Sequence, residues 1–232
     1  MTKQPGMRID LSFERPAKEI VEQFRDVPAA NISDVCGRLF GMDARLKPMG
    51  KCKKICGVAL TVKAAIADNG MFHKAMSMAQ PGDIIVVNAC GDTNHSVCGD
   101  VMYRYAQTKQ IAGFVVDGSV RDVDYLQEHD FPVYAVGTTP RGPYKHALGE
   151  INTDIACGGQ VVHAGDLIVG DEDGLVVVRR EDCEAVLEKL KAQFDKEALM
   201  TKLIESGTWD TDSPILKDLN SQFEKLHFEI NQ

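Results

Sequence analysis

Aromatic side chains are scarce in this chain of 232 residues, at 6% with a single tryptophan. Positive charge is also short: 26 Lys and Arg face 34 Asp and Glu, for a formal net charge of −8. That balance argues against a nucleic-acid surface as the main function, since phosphate backbones are met by clustered cations. No apolar run approaches the roughly 20 residues of a membrane-spanning helix, and the opening stretch MTKQPGMRID lacks the apolar core of a signal peptide. The seven cysteines are an odd number with neither disulfide rhythm nor zinc spacing. They read as reduced thiols, so the cytoplasm is the expected compartment. Internal repeats, low-complexity tracts and a glycine-rich methyltransferase loop are missing as well.

What is present is ordinary for a globular protein, with 44% hydrophobic and 26% charged residues. The length allows one large α/β domain, expected over residues 1–206, and a helical tail, 207–232, that could serve as an oligomer arm. Residues 1–13 read as polar and irregular. Helical periodicity follows over 17–24, and Asn31 starts a second helix closed by Gly41. Residues 57–65 read as a strand. Asp68-Asn69-Gly70 is the strongest turn signal of this half, with Asn69 read as a turn residue tolerating a left-handed backbone. Residues 71–79 read as a helix, in which His73 has no evident role. Further strands are expected at 132–136, 160–163, 167–169 and 175–178, and a long helix over 182–200. Residues 215–228 form a last periodic segment. The acids Asp166, Asp171, Glu172 and Asp173 lack the spacing of a calcium loop and read as turn chemistry. Arg141 and Lys145, near a long turn at 137–143, either add positive charge to a pocket rim or sit in a solvated loop.

The centre of the chain, GDVMYRYAQTKQIAGFVVDGSVRD from Gly99 to Asp122, carries the chemistry. Val101, Met102, Tyr105 and Ala106 recur at helical spacing over 100–110, and 111–116 reads as a buried strand. Asp117-Gly118-Ser119 is turn chemistry, and Asp122 is placed to open another short helix. Residues 83–89 form the strand before it. If these strands are parallel neighbours, the loops at 90–99 and 117–121 open on one crevice, where α/β sheets bind ligands. Gly99 and Asp100 offer a helix N-terminus to a small carboxylate. Arg121 and Asp122 place a fixed cation beside a hard oxygen ligand. Such a set suits a small 2-oxo acid and the enolate formed when a bond beside its carbonyl breaks.

Asp100, twenty intervening residues and then Arg121-Asp122 resemble the D-x20-R-D signature of the class II pyruvate aldolases. These are the 4-hydroxy-4-methyl-2-oxoglutarate and 4-carboxy-4-hydroxy-2-oxoadipate aldolases of the RraA-like superfamily. The stretches NISDV at Asn31, GVALTV at Gly57, AQPGD at Ala79, and Gly165-Asp166 through Asp171-Glu172-Asp173-Gly174 resemble it too. The resemblance implies a layered α/β sandwich, phosphohistidine-domain-like, and a trimer or hexamer with the pocket near a subunit interface. It implies metal-dependent cleavage of a 4-hydroxy-2-oxo diacid to pyruvate, with oxaloacetate decarboxylation as a side activity. Asp122 would hold magnesium or manganese. Arg121 would bind the keto oxygen and steady the enolate, and the backbone from Gly99 through Asp100 and Val101 to Met102 would hold the substrate carboxylate. Asp100 would relay protons. Asn69 could touch substrate, and Glu172 could approach a neighbouring subunit's site. His95 and Cys98 match no aldolase role. Regulators of ribonuclease E share the scaffold but typically carry Gln where this chain has Asp122, so a binding protein of that kind is the alternative.

Overall fold

The computed structural model describes residues 5–146 and 148–226. β1 (Met7–Ile9) precedes α1 (Lys18–Gln23), α2 (Ala29–Val35), β2 (Lys47–Pro48) and β3 (Ile55–Ala64). Strands and helices then alternate: α3 (Gly70–Met78), β4 (Asp83–Ser96), α4 (Asp100–Thr108), β5 (Gly113–Val120), α5 (Val123–Glu128) and β6 (Val133–Thr138). Five short strands follow: β7 (Gly149–Ile151), β8 (Ile155–Cys157), β9 (Gln160–Val162), β10 (Leu167–Gly170) and β11 (Leu175–Val178). A 3-10 turn, Arg180–Asp182, leads into α6 (Cys183–Glu205), then α7 (Trp209–Asp212) and α8 (Pro214–Leu226). No helix among the described residues is long and apolar enough to cross a membrane.

The chain divides into two compact units, Met1–Leu187 and Glu188–Gln232. In the first, the main sheet runs β1-β7-β3-β4-β5-β6-β2, and β10 pairs with β3 and β11 beside that path. The four strands β3 to β6 are parallel neighbours in sequence order. All eight residues of β5 are buried, which explains its nearly unbroken apolar run. One face of the sheet packs Leu60, Val87 and Val116 against Phe72 of α3, Tyr103 of α4 and Leu126 of α5. Phe114 sits among Phe72 and Phe131, with edge-on ring centroids at 4.8 and 5.0 Å. On the other face Ile84, Val86 and Val115 meet Ile155, Cys157 and Val162 of the β8–β9 hairpin, together with Val177 of β11.

Three expectations are corrected. Residues 7–9 are a strand, because they pair in register with β7 at the sheet edge. Most of the expected 90–99 loop is extended: β4 runs to Ser96, with positive φ at Cys90 and Gly91 and register shifts against β5. Asp117-Gly118-Ser119 is part of β5. A Cβ on Gly118 would stand 2.8 Å from the Ala89 Cβ, so this glycine serves strand contact, not a turn. Asp117 is buried, accepting from Arg45 Nη2 at 2.8 Å and from the Gly158 N–H at 2.9 Å. In the second unit the end of the expected 215–228 segment lies outside the described residues, while α8 covers Pro214–Leu226. Gly207, at φ +70°, follows the end of α6 in the left-handed conformation common past helix C-termini.

Candidate active site

Four parallel strands end on the same side, and the loops after them build one cleft of about 210 Å3. β3 is followed by Asn69 and His73, and β4 by Cys98 and Gly99. Arg121 and Asp122 follow β5, and Pro143 and Lys145 follow β6. Asp100, Val101 and Met102, the first turn of α4, complete the lining. Every residue expected to act, Gly99, Asp100, Val101, Met102, Arg121 and Asp122, is therefore brought to one place.

Gly99 makes this possible. A Cβ there would lie 2.3 Å from Asp122 Oδ2 and 3.0 Å from Arg121 Cγ, so only glycine lets the Arg-Asp pair approach the start of α4. The backbone of Arg121 is pinned from both directions. Its N–H donates to the Cys98 carbonyl at 3.0 Å, and its carbonyl accepts from the Tyr103 hydroxyl at 2.9 Å. Burial raises the Tyr103 pKa far above the usual phenol range, so the hydroxyl remains a donor.

Asp122 precedes α5, but its side chain does not cap that helix. The residue adopts φ 56°, ψ 42°, a left-handed conformation that Asp tolerates better than most side chains. Its carboxylate points to the other helix instead: Oδ2 accepts the Asp100 N–H at 3.1 Å, with Arg121 Nε at 3.5 Å. A left-handed backbone turned towards a cleft is the kind of local cost that collects at functional sites. Of the amides expected to hold a carboxylate, Asp100 is taken by Asp122 and Met102 by the Gly99 carbonyl at 2.9 Å. Val101 and Arg121 line the same cleft. α4 also turns differently from expectation. Its buried face is Met102, Tyr103 and Ala106, while Val101 and Tyr105 are exposed.

His95 Nδ1–H donates to Asp92 Oδ2 at 2.9 Å, and the residue does not line the cleft. Cys98 does line it, but burial pushes its thiol up to about 12, so it stays protonated and is a poor nucleophile. Glu172 pairs with Lys53 at 2.8 Å, and Asp166 is buried against Arg179 at 3.0 Å. Asp171 closes the turn with the Asp173 N–H at 3.0 Å, as its turn chemistry suggests. Between the two cations near the rim, Lys145 lines the cleft and Arg141 does not.

His73 is the residue that sequence reasoning passed over. It lies one helical turn after Asn69, with its Nε2 3.4 Å from Asn69 Nδ2. Burial first, and Lys145 second, lower its pKa, which keeps the imidazole neutral at pH 7. The i, i+4 spacing from Asn69 was the available signal. Asn69 itself is at φ −122°, not left-handed; the positive φ of this turn belongs to Ala67.

The RraA-like family model, described as Aldolase/RraA, matches residues 29–177. The chain belongs to the RraA-like family. A relative from Halalkalibacterium halodurans is 41% identical over 181 residues, covering 78% of this chain and 86% of that one. It carries a provisional 4-hydroxy-4-methyl-2-oxoglutarate aldolase name. A Pseudomonas syringae structure superposes with a TM-score of 0.75 at 23% identity, covering 84% of this chain and 96% of that one, which bears on the fold alone. Streptomyces coelicolor RraAS2, described as an unusual member of the RNase ES inhibitor RraA family, is 28% identical. Its TM-score is 0.71, covering 82% of this chain and 98% of that one. The RraA-like match spans β3 to β6 and thus all four loops of the cleft.

Proposed function

We propose that this RraA-like chain is a divalent-metal-dependent lyase cleaving a 4-hydroxy-2-oxo diacid to pyruvate and a second oxo acid. Oxaloacetate decarboxylation would accompany it, since both reactions pass through the pyruvate enolate. The observation that carries the reading is the approach of Arg121 and Asp122 to the first turn of α4, with the carboxylate left short of partners.

The residues fit a magnesium or manganese ion. Among the described residues no three or more His, Cys, Asp or Glu side chains converge as a protein cage. Magnesium needs none: it is commonly held by one or two carboxylates, its own waters and the substrate. Asp122 is the direct ligand in this reading, with Asp100 beside it. A bound ion would supply Lewis-acid polarisation of the 2-oxo group.

The chain's own groups do the rest. The Val101 N–H and the positive end of α4 receive the substrate carboxylate. The Arg121 guanidinium, fixed by its pinned backbone, faces the 2-oxo oxygen and stabilises the charge that grows there. Asp100, 40% exposed at its side chain, accepts the proton of the C4 hydroxyl. The C3–C4 bond then breaks, C4 becomes a carbonyl, and the electron pair passes to C3 as the enolate. Protonation at C3 gives pyruvate. Lys145 lines the same cleft and suits the second carboxylate of a diacid.

The test is pyruvate release from 4-hydroxy-4-methyl-2-oxoglutarate and from oxaloacetate, followed through lactate dehydrogenase, with magnesium and with EDTA. Release should stop with EDTA and in Asp122→Ala, while that variant keeps the wild-type circular dichroism. The likeness to RraAS2 favours one rival, a regulator acting by contact with a nuclease. That rival requires a folded wild type with no turnover and a metal-independent partner complex.

A further inference from the structure

A pinned backbone fixes where the Arg121 side chain begins, not where it ends. That side chain is 45% exposed, and a long exposed arginine ordinarily samples many rotamers. Two glycines limit this one. A Cβ on Gly99 would lie 3.1 Å from Arg121 Nε, and a Cβ on Gly142 would lie 3.1 Å from Arg121 Nη1. Neither glycine is required by its backbone: Gly99 is extended at φ −159°, and Gly142 has a negative φ. Both leave room for the guanidinium that lies against them.

The position of Gly142 has a traceable cause. Residues 139–146, after β6, form a strap across the ends of the parallel strands. The Thr139 N–H donates to the Val120 carbonyl at the end of β5, at 3.1 Å. The Arg141 carbonyl accepts twice from Ser96 at the end of β4, from its N–H at 2.8 Å and from its hydroxyl at 2.9 Å. Beyond β3, the Tyr144 N–H donates to the Ala67 carbonyl at 2.7 Å, and the Tyr144 carbonyl accepts the Asn69 N–H at 3.0 Å. Ser96 is wholly buried, so its hydroxyl proton must find an acceptor inside the protein. The acceptor it finds is the carbonyl of the peptide that leads into Gly142.

We propose that Ser96 and Gly142 are positioning residues for Arg121. Ser96 fixes the Arg141–Gly142 peptide, and Gly142, lacking a side chain, leaves the Nη1 end of the guanidinium where the growing oxyanion needs it. The inference rests on the lyase reading of the cleft and extends its machinery to the strap, which supplies geometry and not a contact with substrate. Preorganised donors act because they need not rearrange as charge develops. A misplacement of about 1 Å costs on the order of 10²-fold in rate. A methyl at Gly142 would push back only the far end of a flexible side chain, which disturbs alignment far more than folding.

The experiment is a double-mutant cycle on magnesium-loaded protein, reading kcat and KM for pyruvate release from oxaloacetate. Gly142→Ala should lower kcat about tenfold and leave KM within about twofold, because the guanidinium acts on charge present only in the transition state. Ser96→Ala, which keeps one of the two bonds to the strap, should lower kcat by less. In Arg121→Lys the side chain ends level with Cζ, 4.0 Å from the new methyl, and no longer meets it. In that background Gly142→Ala should change kcat by less than about twofold. A merely structural strap would give the same loss in both backgrounds. If Arg121→Lys turns over too slowly to follow, the cycle is read instead on calorimetric affinity for oxalate, a planar dianion that resembles the enolate. Gly142→Ala should then weaken oxalate about tenfold beside Arg121 and leave its affinity unchanged in Arg121→Lys. Additive losses, or a wild-type kcat in either strap variant, overturn the inference while leaving the lyase reading intact. A wild type that releases no pyruvate overturns both.

Discussion

Two Arg–Asp pairs stand at opposite ends of the same parallel strands. At the start of β4, Asp83 is almost wholly buried and takes both arms of Arg15, at 3.0 and 2.9 Å. It also accepts the Gln80 N–H at 2.8 Å, and the Arg15 guanidinium lies 4.2 Å from the Phe13 ring centroid. Beyond the end of β5, Arg121 and Asp122 share one contact of 3.5 Å with side chains 45% and 41% exposed. The residue types are the same, and the degree of saturation differs. The first pair has used its hydrogen bonds to anchor the segment before α1 to the sheet. The second spends one carboxylate oxygen on the Asp100 N–H, stays half exposed, and bears a left-handed backbone.

The contrast is sharpest when one Arg is removed from each pair. Arg121→Ala should lower kcat/KM for pyruvate release by about 10²–10³-fold, the usual effect of losing one donor to a developing oxyanion. Its melting temperature should stay close to wild type, because an exposed ion pair contributes little. Arg15→Ala should do the reverse. Leaving a buried carboxylate without its partner costs about 3–5 kcal/mol, which lowers Tm by roughly 10 °C in a chain of this size. The folded fraction should keep its kcat. Thermal melts and kinetics on both variants decide it; a stable Arg15→Ala or a fully active Arg121→Ala breaks the comparison.

A smaller effect is expected with pH. His73 has a folded-state pKa below its ordinary value, so the unfolded chain binds more protons as pH falls through the range just under 6.5. Stability should therefore be fully present at neutral pH and decline as the solution is acidified through that window. His73→Gln should flatten this part of the stability curve. Denaturant midpoints between pH 7.5 and 5.5 read it directly, and a wild-type curve as flat as the variant's would refute the assignment.

The parts of this molecule legible in the sequence were those with local causes. Helical and strand periods marked the β4-α4-β5 core, and the spacing of Asp100, Arg121 and Asp122 marked the cleft. Positions with distant causes were misread. Gly118 looked like turn chemistry, but it is small because Ala89 of the next strand lies against it. Asp117 looked like the same turn, but its partners are Arg45 and Gly158, 72 and 41 residues away. Residues 7–9 have no strand pattern of their own and pair only because β7 offers an edge. Asn69 is the clearest case. The turn was recognised, yet its side chain answers to Val97 and His73 and not to the helix it begins.

Glu172 gives the smallest expected effect and sharpens the comparison from a third side. Resemblance to the aldolases implies that an acid of this region approaches the site of a neighbouring subunit in a trimer or hexamer. Within one chain it is 73% exposed at its side chain and paired with Lys53 at 2.8 Å. Pairs of that kind are worth about 0–1 kcal/mol, so Glu172→Gln should leave Tm within roughly 2 °C of wild type. By the rule drawn from Asp83 and Asp122, an exposed carboxylate with a single partner is still available. The sharper measurement is therefore kcat for pyruvate release alongside the oligomeric mass. An unchanged kcat in an assembled oligomer would confine the chemistry to the cleft of one chain. A large loss at constant mass and stability would mean that a second copy supplies Glu172 to that cleft, and that saturation must be counted in the assembly.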